Sequence, residues 1–339
     1  MSATQNPVSN QQPSELPIGI NFDGVLVHDG LPTPDPKTRF AWIRDAGVFD
    51  YVEKNINPAE DFSPYPEWAA EFGIPIGVFG GIFCAGRDEA LMRWGLRTGG
   101  DLGARLFNMQ LFARDASGKA LTDQHVADWF LHAMHHGARA NCLPAMEVHV
   151  DMWSEQFHRI ESVAELLARS NVPLRLTLDH SHLIFKIDNP SELQASGLAG
   201  AENGGRSVLA PGPHSFYRYW LAQGWVVHAH ARSVAPGVAE NGAMNGRDGQ
   251  PGRAIQYPFT APLNGTFHRP WQAQALQIWK DAVGELLSWM RGHPARAPQQ
   301  ISCEFIPFAD YGGGGRYDIW QNNIACARWL QAHWRGAAA

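Results

Sequence analysis

The sequence predicts a single α/β domain folded as a closed (β/α)8 barrel, the TIM-barrel architecture, with long loops over its mouth. Two observations predict it. Eight or nine short apolar runs alternate with helix-length amphipathic stretches along most of the 339 residues, which favours a barrel of parallel strands. No G-x-G-x-x-G turn follows the first run, so the dinucleotide-binding open sheet lacks its main signature. A chain of this length with 45% hydrophobic residues can bury a large core, and such barrels commonly form one domain. Residues 1–17, rich in Gln, Asn, Ser and Pro, are expected to be a disordered N-terminal tail, and residues 18–335 the barrel catalytic domain.

Ile18–Phe22 reads as the first strand and Pro36–Ala46 as the helix after it. Phe49–Lys54 and Ile74–Phe79 are the second and third strands, with a helix at Tyr65–Phe72 between them. Asp88–Leu96 has a helical pattern, Arg105–Phe112 is the fourth strand, and Thr122–Gly137 is a long helix. Thr122 can cap that helix, and Val126, Phe130 and Met134 recur at helical spacing. Ala145–Val150 is the next strand, followed by a helix at Phe157–Ser170 with Phe157, Ile160, Val163 and Leu167 on one stripe. Leu174–Leu178 and Trp225–His230 are further strands. A helix over Trp271–Gly292, a strand at Ile301–Phe305 and a terminal helix near Ile319–Trp334 close the chain. Two segments break the alternation: Ala235–Gly252, and Ala309–Arg316 with its four consecutive glycines at 312–315. Each follows a strand that ends in a candidate ligand, so both are expected over the mouth, as active-site loops or as plain surface loops. The glycine run could also present backbone N–H groups to a phosphate, with Arg316 beside it.

A net charge of −6 provides no field to attract nucleic acid or an anionic membrane surface. The four cysteines lie far apart with no C-x-x-C pair, which suits buried thiols in a reducing compartment. The first seventeen residues lack the basic start and apolar stretch of a secretory signal, and no run approaches eighteen apolar residues. A cytoplasmic protein without a nucleic-acid or membrane partner is expected.

Chemistry collects at four strand ends. Ala145-Met-Glu147, Leu176-Thr-Leu-Asp179, Val226-Val-His-Ala-His230 and Ile301-Ser-Cys-Glu304 each finish on a metal-capable side chain. Side chains at the carboxyl ends of parallel barrel strands converge on one mouth. Three carboxylates and one imidazole suit Mn²⁺, Mg²⁺, Co²⁺ or Zn²⁺, with manganese favoured, and the absence of paired thiolates argues against a structural zinc. Each residue alone has an ordinary explanation: Glu147 paired with an arginine, Asp179 capping a helix, His230 satisfied by hydrogen bonds. Four in the order expected of one site outweigh those separate explanations.

The stretch Asp179-His-Ser-His182, with Glu147 before it, His228-Ala-His230 after it and Glu304 in the last strand, resembles the xylose-isomerase-like TIM barrels. That superfamily includes sugar isomerases, ketose 3-epimerases, inosose dehydratases and zinc-dependent abasic-site endonucleases. The resemblance spans Ile18 to Trp334 in architecture, with its motifs between Glu147 and Glu304. In the ketose 3-epimerase branch it implies Glu147, Asp179, His230 and Glu304 as metal ligands and His182 as a substrate contact. Arg232 is the nearest match to the arginine that grips substrate oxygens there, although its spacing differs. Six residues past the first ligand, where that branch carries a second substrate-binding Glu, this chain has Trp153.

Such a site binds a carbonyl and its neighbouring hydroxyl, lowering the pKa of the adjacent C–H. Glu147 and Glu304 are the candidate carboxylates to remove and return the proton, with His182 as oxyanion partner or shuttle. Proton transfer through an enediolate gives a metal-dependent sugar isomerase or epimerase. The alternatives are a lyase or hydrolase of the same fold that cleaves a glycosidic or C-glycosidic bond by elimination, and a non-catalytic sugar-binding barrel. His228 and Trp153 join His182 and Arg232 as candidate substrate contacts. Trp153 and Trp220, near strand ends or loops, could stack on a sugar ring or aromatic aglycone, which points to a bulky or partly apolar carbohydrate or glycoside. His149, alternating with Glu147, is expected on the same side of its strand. No histidine falls between His28 and His125, so the early-strand ligands of a trinuclear zinc cluster are missing. Related barrels often pair through helices or mouth loops, which leaves a homo-oligomer open.

Overall fold

Eight parallel strands close on themselves in the computed structural model, which describes residues 15–27, 31–199, 209–237, 241–245, 251–312 and 317–336. They are β1 (Ile18–Asn21), β2 (Tyr51–Asn55), β3 (Ile76–Phe83), β4 (Leu106–Leu111), β5 (Leu143–Glu147), β6 (Leu176–Asp179), β7 (Val226–Ala231) and β8 (Ile301–Cys303). Each pairs with its sequence neighbour, and β8 pairs with β1 to shut the ring. This is the (β/α)8 barrel the sequence predicts. The expected tail falls on residues of which 1–14 lie outside the described ones, as do 238–240, 246–250 and 313–316 of the two mouth loops.

Three helices have the predicted bounds: α1 (Pro36–Ala46), α2 (Tyr65–Phe72) and the terminal Ile319–Trp334. The long helix α4 (Asp123–Ala140) opens on Thr122, whose hydroxyl accepts from the His125 N–H while His125 Nδ1 accepts from the Thr122 N–H. Histidine takes the part glutamate usually plays in this reciprocal cap. Several boundaries moved. Helix α3 (Glu89–Asp101) runs past Leu96, β3 continues through Gly80 and Gly81 to Phe83, and β5 stops at Glu147 instead of Val150. The helix expected from Trp271 begins at Gln277, after a 3-10 turn at Ala273–Leu276. The helices at Ser181–Ile184, Pro190–Ala195 and Phe216–Gln223 were not predicted; all are short, and the last follows Pro-Gly-Pro-His, which reads as loop.

Large aromatic chains such as Phe40, Phe79, Phe107 and Phe130 are fully buried, each worth about 1.5–3 kcal/mol of transfer free energy. The barrel interior is layered. At the amino end Tyr51, Val78, Leu106 and Ala145 pack together, and the Tyr51 ring lies where any Cβ on Gly19 or Gly77 would stand. Above that plug the inward positions turn polar, with Glu53 and His228 followed by His230, Glu147 and Asp179. All four cysteines are buried and unpaired, as expected. No helix among the described residues is long and apolar enough to cross a membrane.

Candidate metal centre

Glu147 ends β5, Asp179 ends β6, His230 is the penultimate residue of β7, and Glu304 follows β8. One donor atom from each lies within 4.8 Å of all the others, and the four residues are buried. The strand-end argument therefore succeeds geometrically. His230 Nδ1 stands 2.8 Å from Glu304 Oε2 and 3.3 Å from Glu147 Oε1. These three atoms are buried and, apart from one another, have no hydrogen-bond partner among the described residues. Buried polar atoms are rarely left this way unless a ligand completes them. Asp179 uses Oδ1 to accept the Ser181 N–H at 2.7 Å and Oδ2 to accept from Arg232, but each carboxylate oxygen keeps a second lone pair. Three carboxylates and one imidazole fit a divalent cation of the magnesium, manganese, cobalt or zinc kind.

Each of these residues is tethered by a partner from a different element. Asn108 and Gln110 on β4 donate to Glu147 Oε2 at 2.8 and 2.7 Å. Asn21 donates to Glu304 Oε1 at 3.0 Å. Glu53 on β2 receives both histidines of β7, His230 Nε2 at 3.0 Å and His228 Nε2 at 3.1 Å. With Nε2 committed to Glu53, His230 turns Nδ1 toward the carboxylates, the arrangement that orients metal-binding histidines. Sequence reasoning missed Glu53, Asn108, Gln110 and Asn21. A signal existed: Glu53 alternates with Tyr51, and Asn108 and Gln110 alternate with Leu106, all on the inward faces of buried strands.

Burial alone would raise the Glu53 carboxyl, but His230 and His228 outweigh it and hold it far below the usual carboxylate range. Glu147 is also penalised by burial, yet His230 and the Asn108 hydrogen bond bring it down to about 2. Burial pushes Glu304 up despite His230 and Arg232, and Glu147 adds to the rise. His230 loses charge stabilisation by burial and regains more from Glu304, Glu53 and Glu147, so it is raised well above an ordinary histidine. His182 goes the other way, lowered by burial, then by His149 and Arg232, and is a neutral imidazole.

The remaining candidates divide. His182 Nε2 lies 2.7 Å from Arg232 Nη2, 3.6 Å from Asp179 Oδ2 and 3.9 Å from Glu147 Oε1, at the edge of the cluster. Arg232 is fully buried, paired with Asp179, 3.5 Å from Glu304 and 4.0 Å from the centre of the Tyr311 ring. His149 lies beyond the end of β5; its ring is 3.9 Å from that of His182, and its Nε2 is 2.9 Å from the Tyr311 hydroxyl. Tyr311, which no periodicity marks, thus caps Arg232 and His149. Two expectations are corrected. Trp153 is 1% exposed in the core, because β5 ends early and the chain turns inward through Trp153–Glu155. His228 sits one layer below His230, bound to Glu53 and 3.4 Å from Ser302 Oγ, off the mouth. Trp220 packs against Phe157 and Phe216, away from the mouth as well.

A cavity of about 720 Å³ opens at the carboxyl end of the barrel, walled in part by Asn108, Gln110, His149, Glu304 and Tyr311. Of the four converging residues, Glu304 alone reaches its wall.

The fold, a (β/α)8 barrel, is similar to that of solved sugar epimerases and xylose isomerase-like TIM barrels. Solved structures with this fold include an L-ribulose 3-epimerase (14% identity, TM-score 0.57, covering 94% of each chain) and a D-allulose 3-epimerase from Methylomonas sp. in complex with D-allulose (12%, 0.56, 95% of this chain and 98% of that one). A xylose isomerase-like TIM barrel protein from Mycobacterium smegmatis in complex with magnesium is similar too (10%, 0.52, 94% and 98%). No family model matches the sequence, and no curated protein does either.

Proposed function

We propose that this chain is a divalent-metal-dependent sugar isomerase or epimerase that works by proton abstraction next to a carbonyl. The observation that carries the reading is the convergence of Glu147, Asp179, His230 and Glu304, with three buried donor atoms that face only one another. The fold likeness to L-ribulose and D-allulose 3-epimerases supports a carbohydrate substrate, and the magnesium-bound relative supports a hard cation. A divalent ion held by the four residues supplies charge stabilisation to an oxyanion developing on the substrate. Glu304, which lines the cavity, takes the proton from the C–H beside the carbonyl in this reading. Glu147, fixed from behind by Asn108 and Gln110, stands across the cluster from it and is the second carboxylate for proton return. The neutral His182 hydrogen-bonds a substrate oxygen, and Arg232 holds Asp179 and His182 in place for that contact.

Metal analysis of the purified protein, followed by solvent-deuterium exchange across a panel of aldoses and ketoses, tests the reading. A bound divalent ion, and exchange that stops on chelation and returns with Mn²⁺, are expected. Glu304→Gln should abolish exchange while leaving the far-ultraviolet circular dichroism unchanged. Full exchange by that variant, or by metal-free protein, would overturn the proposal.

A further inference from the structure

Resting on that reading, we infer that the substrate is a neutral polyol carrying an apolar substituent, and that phosphorylated sugars are excluded. The mouth cavity has two ends of opposite chemistry. Depth is read from exposure: Asn108 and Glu304 are 5% exposed and His149 8%, whereas Ile82 is 49%, Phe112 36% and Phe308 51% exposed. The floor is polar and the rim apolar. Such a rim stands out because large apolar side chains left exposed together on a protein of this size mark a ligand site more often than chance surface.

The floor asks for hydroxyl donors. Asn108 and Gln110 both spend their NH₂ groups on Glu147, which leaves Asn108 Oδ1 and Gln110 Oε1 buried and without a partner among the described residues. Each is an acceptor with two lone pairs, and the neighbouring Glu304 carboxylate accepts as well. A polyol supplies the matching O–H groups. Charge points away from phosphate. Among the described residues the cavity wall carries four carboxylates, Asp23, Asp151, Glu304 and Asp310, of which Asp151 is paired with Arg253 at 2.8 Å, and no lysine or arginine lines it. A phosphate dianion there would meet like charge in a partly desolvated cleft, where Coulomb repulsion is stronger than in water.

Size agrees. About 720 Å³ lies in the upper part of the roughly 300–1,000 Å³ range that takes drug-sized ligands. A lone sugar at the floor would leave Ile82, Phe112 and Phe308 wet. An alkyl or aryl group on the sugar covers them, and each buried methylene raises affinity about three- to fourfold.

The experiment is isothermal titration of the metal-loaded full chain with D-glucose, 6-O-n-alkyl-D-glucoses from methyl to hexyl, 6-O-phenyl-D-glucose and glucose 6-phosphate, all of which keep the anomeric centre free to open to the carbonyl. Affinity should climb along the alkyl series and be lowest for the phosphate. The double variant Ile82→Ser/Phe308→Ser, altered only at exposed positions, should flatten the climb. 6-O-Alkyl glucoses that bind no better than glucose, or a phosphate that binds more tightly, would overturn the inference while sugar exchange in the earlier panel keeps the isomerase reading standing. No binding by any member together with no exchange in that panel would remove both.

Discussion

Replacing Glu53 with Gln removes one negative charge from beneath the centre without removing an atom. The carboxylate accepts from His230 at 3.0 Å and from His228 at 3.1 Å, and all three side chains are buried. Glutamine has one acceptor oxygen and one NH₂ group, so it can receive only one imidazole N–H. The other histidine must move its proton to Nδ1 or face a donor with a donor. His228 can do this at small cost, because its Nδ1 has no partner among the described residues. With an ion bound His230 cannot, since a proton on Nδ1 would fill the donor position that the ion needs. Losing one charge-assisted bond costs about 1.5–3 kcal/mol of stability, and loosening the orienting partner of a metal-bound histidine costs roughly 10–100-fold in metal affinity. Mn²⁺ affinity measured by calorimetry, beside urea denaturation of the chelated protein, reads the two effects separately. The reasoning fails if the variant loses stability yet binds Mn²⁺ as tightly as the parent, because Glu53 would then serve packing alone.

Lys186 is fully buried between Glu155 (2.7 Å) and Glu192 (3.3 Å), where Arg253 from the long loop also reaches Glu192 at 2.7 Å and Glu155 at 3.6 Å. Lys186→Met should cost about 3 kcal/mol in urea denaturation, the low end for breaking a buried pair because Arg253 stays; a loss under 1 kcal/mol would show that Arg253 alone suffices. Glu155 is disfavoured by burial but held below the usual carboxylate range by Lys186 and Arg253. Its folded value is therefore depressed, so its contribution is complete above about pH 4.3, the unfolded value, and drains away as pH falls toward the folded one. The acid limb of the stability profile should flatten in Lys186→Met, and an unchanged limb would assign it to other groups. Gly80→Ala would set a methyl 2.5 Å from the Asn108 carbonyl oxygen and 3.0 Å from its Cβ. Overpacking of about 1–3 kcal/mol and weaker Mn²⁺ binding through displaced Asn108 should appear together, and parental values in both assays would mean that β4 has slack.

The barrel and the four converging residues were legible because both follow from periodicity: alternating elements give a parallel ring, and a parallel ring gathers its carboxyl ends. Direction and depth were harder. Trp153 lies six residues past Glu147, but whether it turns to the mouth or the core depends on where β5 stops, and β5 stops three residues early. His228 shares a face with His230, yet one strand repeat puts it a layer lower, against Glu53. Tyr311 and Arg232 meet across loops that carry no period, so their stacking had no sequence signal. The Ser215-capped helix at Phe216–Gln223 was masked by the proline and glycine before it.

What the sequence concealed is what keeps the centre assembled. Three carboxylates, Glu147, Asp179 and Glu304, crowd around one guanidinium and one imidazole, and two like charges 4 Å apart repel by about 4 kcal/mol at an effective dielectric of 20. Left to themselves, such groups would swing apart or take up protons. Each is instead pinned: Glu147 by Asn108 and Gln110, Asp179 by Ser181 and Arg232, and Glu304 by Asn21, while Glu53 holds His230 from below. Arg232 offsets one charge, which lets the donor set hold its shape while leaving it short of positive charge. A divalent ion would supply that remainder, and because the tethers come from β1, β2 and β4 and from the turn after β6, it would enter a site already formed, without reordering the barrel to make one.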